Sequence, residues 1–171
     1  MTPVMLRQPR TIRNRTMNNP APQHRFIRVV WPAAVTLLAV TGIAQMPVFK
    51  RYYIADIPGL AWTADPMTTH LLHYLGAVVL LAAGGWMTAV FLLQQRSRWQ
   101  LTTAGVWRLG LLLGLAATGY LRVVKNLPEF YWPPVTTMII DWSHLGLAAL
   151  LGLASLAFRM TGRGAWLAPR R

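Results

Sequence analysis

Long runs of apolar residues dominate the chain, and short polar segments separate them. Four such runs each contain about 20 residues or more, over residues 26–46, 67–93, 104–124 and 135–158. A helix of that length, rising about 1.5 Å per residue, crosses the roughly 30 Å hydrocarbon core of a bilayer. The pattern therefore predicts an all-α integral membrane protein, a four-transmembrane-helix bundle whose membrane domain extends over residues 26–160.

The first apolar run has a second interpretation, because it follows a basic stretch and contains the small-residue pattern Gly42-Ile43-Ala44. That pattern weakly matches a signal-peptide cleavage site. The run is longer than the apolar core of an ordinary signal peptide, which has about 7–15 residues. We therefore expect an uncleaved first helix.

The basic residues lie mainly at one end of the predicted helices. The chain has 17 Lys and Arg residues against 4 Asp and Glu, for a net charge of +13. Most of the basic residues precede the first helix, surround the connection between the second and third, or follow the fourth. The positive-inside rule then predicts a basic cytoplasmic tail at residues 1–25, a basic C-terminal tail at residues 161–171 and both termini in the cytoplasm. We expect this charge to face anionic membrane lipid and not nucleic acid, in a multi-pass protein of the bacterial inner membrane.

The composition excludes several kinds of site. Hydrophobic residues make up 54% of the chain and charged residues 12%, about half the charged share of a soluble domain. There is no Cys, so the chain itself holds no disulfide, Cys-ligated zinc, iron–sulfur cluster or covalently attached c-type haem.

A faint repeat relates the two halves of the chain. The first apolar run ends in Leu38-Ala39-Val40-Thr41-Gly42, and the third contains Leu115-Ala116-Ala117-Thr118-Gly119. The second run begins near His73 and the fourth near His144. Each half therefore shows a helix, Thr-Gly, an outer loop and a second helix with a His near its outer end. The repeat predicts that these two His lie at similar depth.

Three of the four histidines lie in the predicted membrane helices, where ionisable side chains are rare and usually functional. His24 belongs to the basic tail, and we expect it at solvent or headgroup level. His73 and His144 are each followed by small residues, which would let a flat porphyrin approach the helix. Two imidazoles facing each other would bind both axial positions of a haem iron, and this haem would be the non-covalent b type. His70 lies on nearly the same face as His73, as an alternative ligand or as a neighbour of a propionate or a quinone.

Two other interpretations of the histidines stay open. They could be hydrogen-bonded packing residues without a cofactor. A zinc or copper site would need three or four ligands together, to which Asp141 and His144 could contribute two.

The residues resemble the four-helix dihaem cytochrome b family, the membrane subunits of respiratory formate dehydrogenases and nickel–iron hydrogenases. The resemblance covers the membrane domain and depends on Arg28-Val29-Val30-Trp31, Thr41-Gly42, His73 and His144. The outer-loop stretch 45–58 is similar to that of cytochrome b subunits encoded with periplasmic iron–sulfur or molybdenum enzymes. The resemblance implies that His73 and His144 are the axial ligands of the haem nearer the periplasm.

The chain departs from the family at the second haem. The family's remaining ligands are a His just before the Trp of the first helix and a second His further along the fourth helix. Those positions here hold Val30 and Phe158, which cannot bind iron. We therefore predict one haem per chain, without the inner haem beside which the family's quinone site lies. Arg108, close to the inner end of the third helix, is expected to snorkel to the inner interface.

These observations favour an electron-transfer subunit with no substrate chemistry of its own. It would anchor the periplasmic iron–sulfur subunit of an oxidoreductase at the outer loops, around residues 52–62 and 129–132, and exchange electrons with a membrane quinone. Candidate outer-side groups are Lys50, Arg51, Arg122 and Lys125 for haem propionates, and His70, Gln45 and Asp141 for a quinone. The alternatives are a small transporter and a cofactor-free structural or assembly protein. A b-type haem spectrum would distinguish the electron-transfer subunit from both.

Overall fold

The computed structural model describes residues 22–46 and 51–170, with side chains from residue 26 onward. Its long helices are α1 Pro22–Ala44, α2 Pro66–Val90, α3 Thr103–Val124 and α4 Pro134–Met160. All four are long and apolar enough to cross a membrane, which confirms the predicted fold class. Residues 1–21 of the predicted basic tail, Lys50 and Arg171 lie outside the described residues, as does the side chain of His24.

The first residues of α2 and α4 follow from local chemistry and lie close to the first residues of the predicted apolar runs. Pro66 and Pro134 are the first residues of α2 and α4, a position where the missing proline N–H costs no hydrogen bond. The carboxylate of Asp65 accepts hydrogen bonds from the Thr68 hydroxyl and from the backbone N–H groups of Thr68 and Met67. These bonds, that of the Thr68 hydroxyl first, lower the pKa of Asp65 because they favour its charged form.

The end of α2 and the C-terminal segment contain structure that the hydropathy pattern does not predict. The π-helical segment Phe91–Gln95 continues α2. Strand β1, Trp99–Leu101, pairs antiparallel with strand β2, Leu167–Pro169, within the predicted C-terminal tail. Gly162, at a φ of 69°, lets the chain turn after α4 towards this ribbon.

The chain divides into two compact units, residues 1–86 and 87–171. In the first unit α1 contacts α2, where Leu37 and Leu38 approach Gly76. In the second unit α3 contacts α4, where Leu147 approaches Gly114. We call these helix pairs the first half (α1 and α2) and the second half (α3 and α4).

The distribution of burial is that of a protein surrounded by lipid. Large apolar side chains point outward, with Leu93 83% and Met160 80% exposed. The buried residues of the described part are mostly small or polar: Ala34, Thr41, Ala44, Ala55, Thr63, Thr69, Gly76, Ala104, Gly105, Arg108 and Ile140. Lipid tails are as apolar as Leu, so membrane helices associate through small residues that allow close approach and through polar contacts.

Candidate functional site

The imidazole of His73 in α2 contacts α1. Its Nδ1 lies 2.9 Å from Oγ1 of Thr41, and Thr41 is fully buried. The next residue, Gly42, has no side chain, and a Cβ there would lie 3.4 Å from Cε1 of His73. The glycine therefore lets the imidazole lie directly against the helix.

The hydrogen bonds of Thr41 determine which nitrogen of His73 holds the proton. The hydroxyl of Thr41 lies 2.7 Å from the carbonyl oxygen of Leu37, which can only accept. Since a hydroxyl has one proton, its oxygen accepts from Nδ1–H of His73. In a neutral imidazole the lone pair is then on Nε2, the nitrogen that a metal ion would bind.

The second half repeats this arrangement. Nδ1 of His144 lies 2.9 Å from Oγ1 of Thr118, and the Thr118 hydroxyl donates to the carbonyl oxygen of Gly114 at 2.9 Å. A Cβ on Gly119 would lie 3.4 Å from Cε1 of His144, the same distance as in the first half. His144 is therefore also held with Nδ1 as the donor and Nε2 as the acceptor nitrogen.

The repeated contact confirms the sequence repeat and gives its threonine a role. The bonded Thr and His are 32 residues apart in the first half and 26 in the second. The Thr-Gly pair is visible in the sequence, but its part in holding the His was not predicted. The only sequence signal was the recurrence of Thr-Gly in one helix with a His in the next.

A pocket of about 320 Å³ lies where α1 ends and α2 begins, the end of the first half that the sequence predicts to be the outer one. Its polar lining residues include Gln45, Thr63, Thr69 and His70. Nδ1 of His70 donates to the carbonyl oxygen of Pro66 at 2.7 Å, so its Nε2 is also the acceptor nitrogen. The structure thus brings together two of the three quinone candidates, Gln45 and His70.

The third candidate, Asp141, is in an ion-pair cluster in the second half. Its carboxylate lies 2.9 Å from Nε of Arg122 and 2.7 Å from Nζ of Lys125. Lys125, predicted to face a haem propionate, therefore already has a carboxylate partner. Arg51, another of the four predicted propionate cations, is exposed in the loop between α1 and α2.

Arg108 does not snorkel, so that prediction was wrong. The residue is 4% exposed, and Nη1 donates to the carbonyl oxygen of Gly164 at 2.9 Å. The guanidinium carbon lies 5.2 Å from the ring centroid of Phe158 and 5.5 Å from that of Trp166. The segment after α4 folds back and supplies a carbonyl and the aromatic face of Trp166, which stabilise the buried charge.

Within the described residues, no group of three or more His, Asp and Glu side chains is placed to hold a metal ion. A zinc or copper site built from Asp141 and His144 would also have to compete with the ion pairs of Asp141. In comparisons with known proteins, no family model, curated protein or solved structure matches this chain. The family resemblance therefore depends on the residues themselves.

Proposed function

We propose that this membrane protein is a haem b-binding anchor and electron-transfer subunit of a quinone-linked oxidoreductase. The observation that supports the proposal is the duplicated contact in which Thr41 holds His73 and Thr118 holds His144. A hydrogen bond at Nδ1 that orients the ring and leaves Nε2 as the ligating nitrogen is the usual arrangement of a metal-binding His.

The residues present fit a haem. His73 and His144 are the residues that would hold the haem, each through an imidazole nitrogen. Gly42 and Gly119 bear no side chain, so each imidazole lies directly against the neighbouring helix. When bound, the haem would supply a one-electron carrier, while the chain supplies ligands, a dry environment and cations.

The two positions that hold the ligands of the second haem in the family are Val30 and Phe158 here, which agrees with one haem per chain. Val30 has no donor atom. Phe158 packs under the guanidinium of Arg108. That contact occupies the place in the second half where a second ligand would stand.

For the propionates we propose Arg51 and Lys125, with His70 as a neighbouring polar group. Lys125 also forms an ion pair with Asp141, so a propionate would share its ammonium with that carboxylate. An ammonium has three donors, enough for both partners.

For the quinone we propose the pocket at the outer end of the first half. Gln45 offers an amide that can donate or accept, and His70 offers an acceptor nitrogen half-buried in the same pocket. A quinone carries a hydrogen-bond acceptor at each end when oxidised and a donor at each end when reduced. An adaptable amide and an imidazole can serve both forms.

We propose that the partner is a periplasmic iron–sulfur subunit that docks on the outer loops, with the chain in the bacterial inner membrane. These loops present exposed aromatic side chains, among them Tyr52 at 67%, Tyr53 at 74% and Tyr131 at 90% exposure. Aromatic side chains are enriched at protein interfaces. Cross-links found only to cytoplasmic proteins would contradict this placement.

The test is spectroscopic. Membranes containing the chain should show a dithionite-reducible b-type spectrum, and a pyridine haemochrome assay on the purified protein should give one haem per chain. Two haems per chain would contradict the stoichiometry. A purified, folded chain with no haem after expression with added haem precursor would favour the cofactor-free structural or assembly role.

A further inference from the structure

A second candidate site lies in residues 87–171, where α2 ends. The π-helical segment Phe91–Gln95 and the following turn border a cleft of about 350 Å³. Its lining residues are Leu92, Leu93, Gln94, Arg96, Ser97 and Arg170. Two cations, a hydroxyl, an amide and two leucines therefore share one cleft.

The two arginines of the cleft are brought together by backbone contacts. The N–H of Arg96 donates to the carbonyl oxygen of Phe91 at 2.8 Å and closes the π turn. The N–H of Arg170 donates to the carbonyl oxygen of Arg98 at 2.9 Å and extends the β1–β2 ribbon. Within the described residues neither Arg96 nor Arg170 forms an ion pair with a carboxylate. The positive charge of the cleft is therefore not neutralised by the described part of the chain.

The π turn is a second observation at the same place. A single π-helical turn is less favourable than an α turn and occurs frequently at functional sites. This one begins at Phe91 and ends beside Arg96, so it shapes the wall of the cleft.

The cleft lies at the boundary between the membrane span and the polar ribbon. The span that begins at Pro66 ends at Gln95. On its last turn Leu92 is 52% and Leu93 83% exposed. Exposed apolar side chains and arginines thus line the same cleft.

We propose that this cleft binds the headgroup of an anionic phospholipid, with the phosphate held by Arg96 and Arg170 and the acyl chains along Leu92 and Leu93. Guanidinium groups bind phosphate oxygens through paired hydrogen bonds, to which Ser97 can add a third donor. The exposed leucines favour a lipid over a free phosphate ion, which needs no apolar surface. The charge distribution assigns this end of α2 to the cytoplasmic leaflet, where anionic lipids attract basic residues. The proposal does not depend on a haem.

The test measures lipid binding to the full chain. Protein purified in a neutral detergent is titrated with phosphatidylglycerol or with phosphatidylcholine of the same acyl chains, and bound lipids are counted by native mass spectrometry. We expect the first phosphatidylglycerol to bind more tightly than phosphatidylcholine. The double variant Arg96→Gln/Arg170→Gln should weaken it about 25-fold, since each cation near a bilayer surface contributes about a fivefold factor.

The matched control is Arg159→Gln/Arg163→Gln, which removes the same charge from exposed residues outside the cleft. It should weaken phosphatidylglycerol binding by less than about fivefold, because salt screens charges beyond about 8 Å. Equal losses in the two double variants would overturn the proposal, as would equal affinity for the two lipids. Displacement of the lipid by millimolar inorganic phosphate would assign the cleft to a free phosphate ion.

A single substitution covers the case in which the double variant does not fold. Ser97→Glu places a negative charge in the cleft and keeps both arginines, so it should also weaken phosphatidylglycerol binding at unchanged helical circular dichroism. Unchanged affinity in a folded Ser97→Glu variant would contradict the site.

Discussion

The two halves share one contact and differ around it. In both, a Thr on the first helix accepts a hydrogen bond from a His on the second at 2.9 Å. The next residue is a glycine, and a Cβ placed on it would lie 3.4 Å from Cε1 of the imidazole in both halves. The outer end, the helix crossing and the inner end are built from different residues. The shared element contains the two histidines that we propose as haem ligands, and the differing elements are those that set packing and charge.

The outer ends differ in openness. The residue four after the Thr is Gln45 in the first half and Arg122 in the second, and the residue three before the His is His70 and Asp141 respectively. Arg122 and Asp141 close into an ion pair at 2.9 Å. Gln45 and His70 instead line a pocket of about 320 Å³. Equivalent positions therefore form a closed ion pair in one half and a candidate binding site in the other.

The helix crossings differ by an exchange of large and small residues. Four residues before the Thr stand Leu37 and Gly114, and three after the His stand Gly76 and Leu147. A Cβ on Gly76 would lie 3.4 Å from Cδ2 of Leu37, and a Cβ on Gly114 would lie 3.2 Å from Cδ1 of Leu147. Leucines cover a glycine in both halves, Leu37 and Leu38 from α1 in the first half and Leu147 from α4 in the second, so the large and small residues come from opposite helices.

The inner ends differ most. The residue ten before the Thr is Trp31 in the first half, where its ring lies against Gly84, and Arg108 in the second. Arg108 is buried between Phe158 and Trp166. The contact of Trp31 with Gly84 involves only α1 and α2, whereas the burial of Arg108 also requires the segment that follows α4.

The largest expected effect tests whether the shared contact is a ligand pair. His73→Ala and His144→Ala should each abolish the b-type spectrum, because either change removes one of the two imidazoles that would hold the haem. His70→Ala is the matched control and should retain the haem, with at most a shift in midpoint potential. Reduced spectra of the three variants at equal protein provide the measurement. Haem loss in His70→Ala together with retention in His73→Ala would assign the ligand to His70.

Next in size is the buried arginine. Arg108→Ala should lower the free energy of unfolding by about 3 kcal/mol, since it removes a charged hydrogen bond and two cation–π contacts. Thermal unfolding in detergent measures this loss, and hydrogen exchange should show faster exchange of the β1 and β2 amides. Arg163→Ala, at an exposed position nearby, should change neither. Unchanged exchange in the ribbon of Arg108→Ala would show that Arg108 does not anchor it.

The exchanged leucines make a double-mutant cycle possible. Gly76→Leu should destabilise the first half by about 2 kcal/mol, because it overpacks against Leu37 and Leu38. Adding Leu37→Gly recreates the arrangement of the second half and should recover part of the loss. An additive effect of the two substitutions in thermal unfolding would contradict the proposed equivalence of the crossings.

The Thr–His hydrogen bond should matter more where it is more buried. Thr41→Val should cost about 2 kcal/mol, because it leaves a buried Nδ1–H without its partner. Thr118 is half-buried, so Thr118→Val should cost about 1 kcal/mol. Both variants should keep the haem but shift its midpoint potential, and Thr→Ser at either position should restore it. Thr→Val variants with unchanged potentials would limit the threonines to a structural role.

The smallest expected effect concerns the ion pair that only the second half has. Asp141→Asn should cost about 1 kcal/mol, the usual size for a partly exposed ion pair. Added salt should reduce the difference from the unaltered chain in thermal unfolding. Glu129→Gln, which removes an exposed acid from the outer loop, should have no measurable effect. A similar loss in both variants would attribute the effect to net charge instead of the pair.

Much of the fold could be predicted because the hydropathy of a membrane span depends only on the residues within that span. The four spans were predicted within a few residues, and the differences arise at caps such as Asp65 and Pro134, whose chemistry extends the helices beyond the apolar runs. The ribbon was not predicted, because strands as short as Trp99–Leu101 have no recognisable alternation. Arg108 was misread because snorkelling is the expected behaviour only when no buried partner exists, and that partner lies 56 residues further along the chain.

The sequence by itself determined the class of the protein, the four crossings, the end at which the arginines gather and the histidines that are candidate ligands. Each of these depends on composition or on spacing within one helix. Only the tertiary structure decided that Thr41 and Thr118 hold those histidines, that Gln45 and His70 share a pocket and that Lys125 is paired with Asp141. Such contacts join separate helices and depend on their rotation and register, which side-chain packing across the whole unit sets and no local pattern encodes.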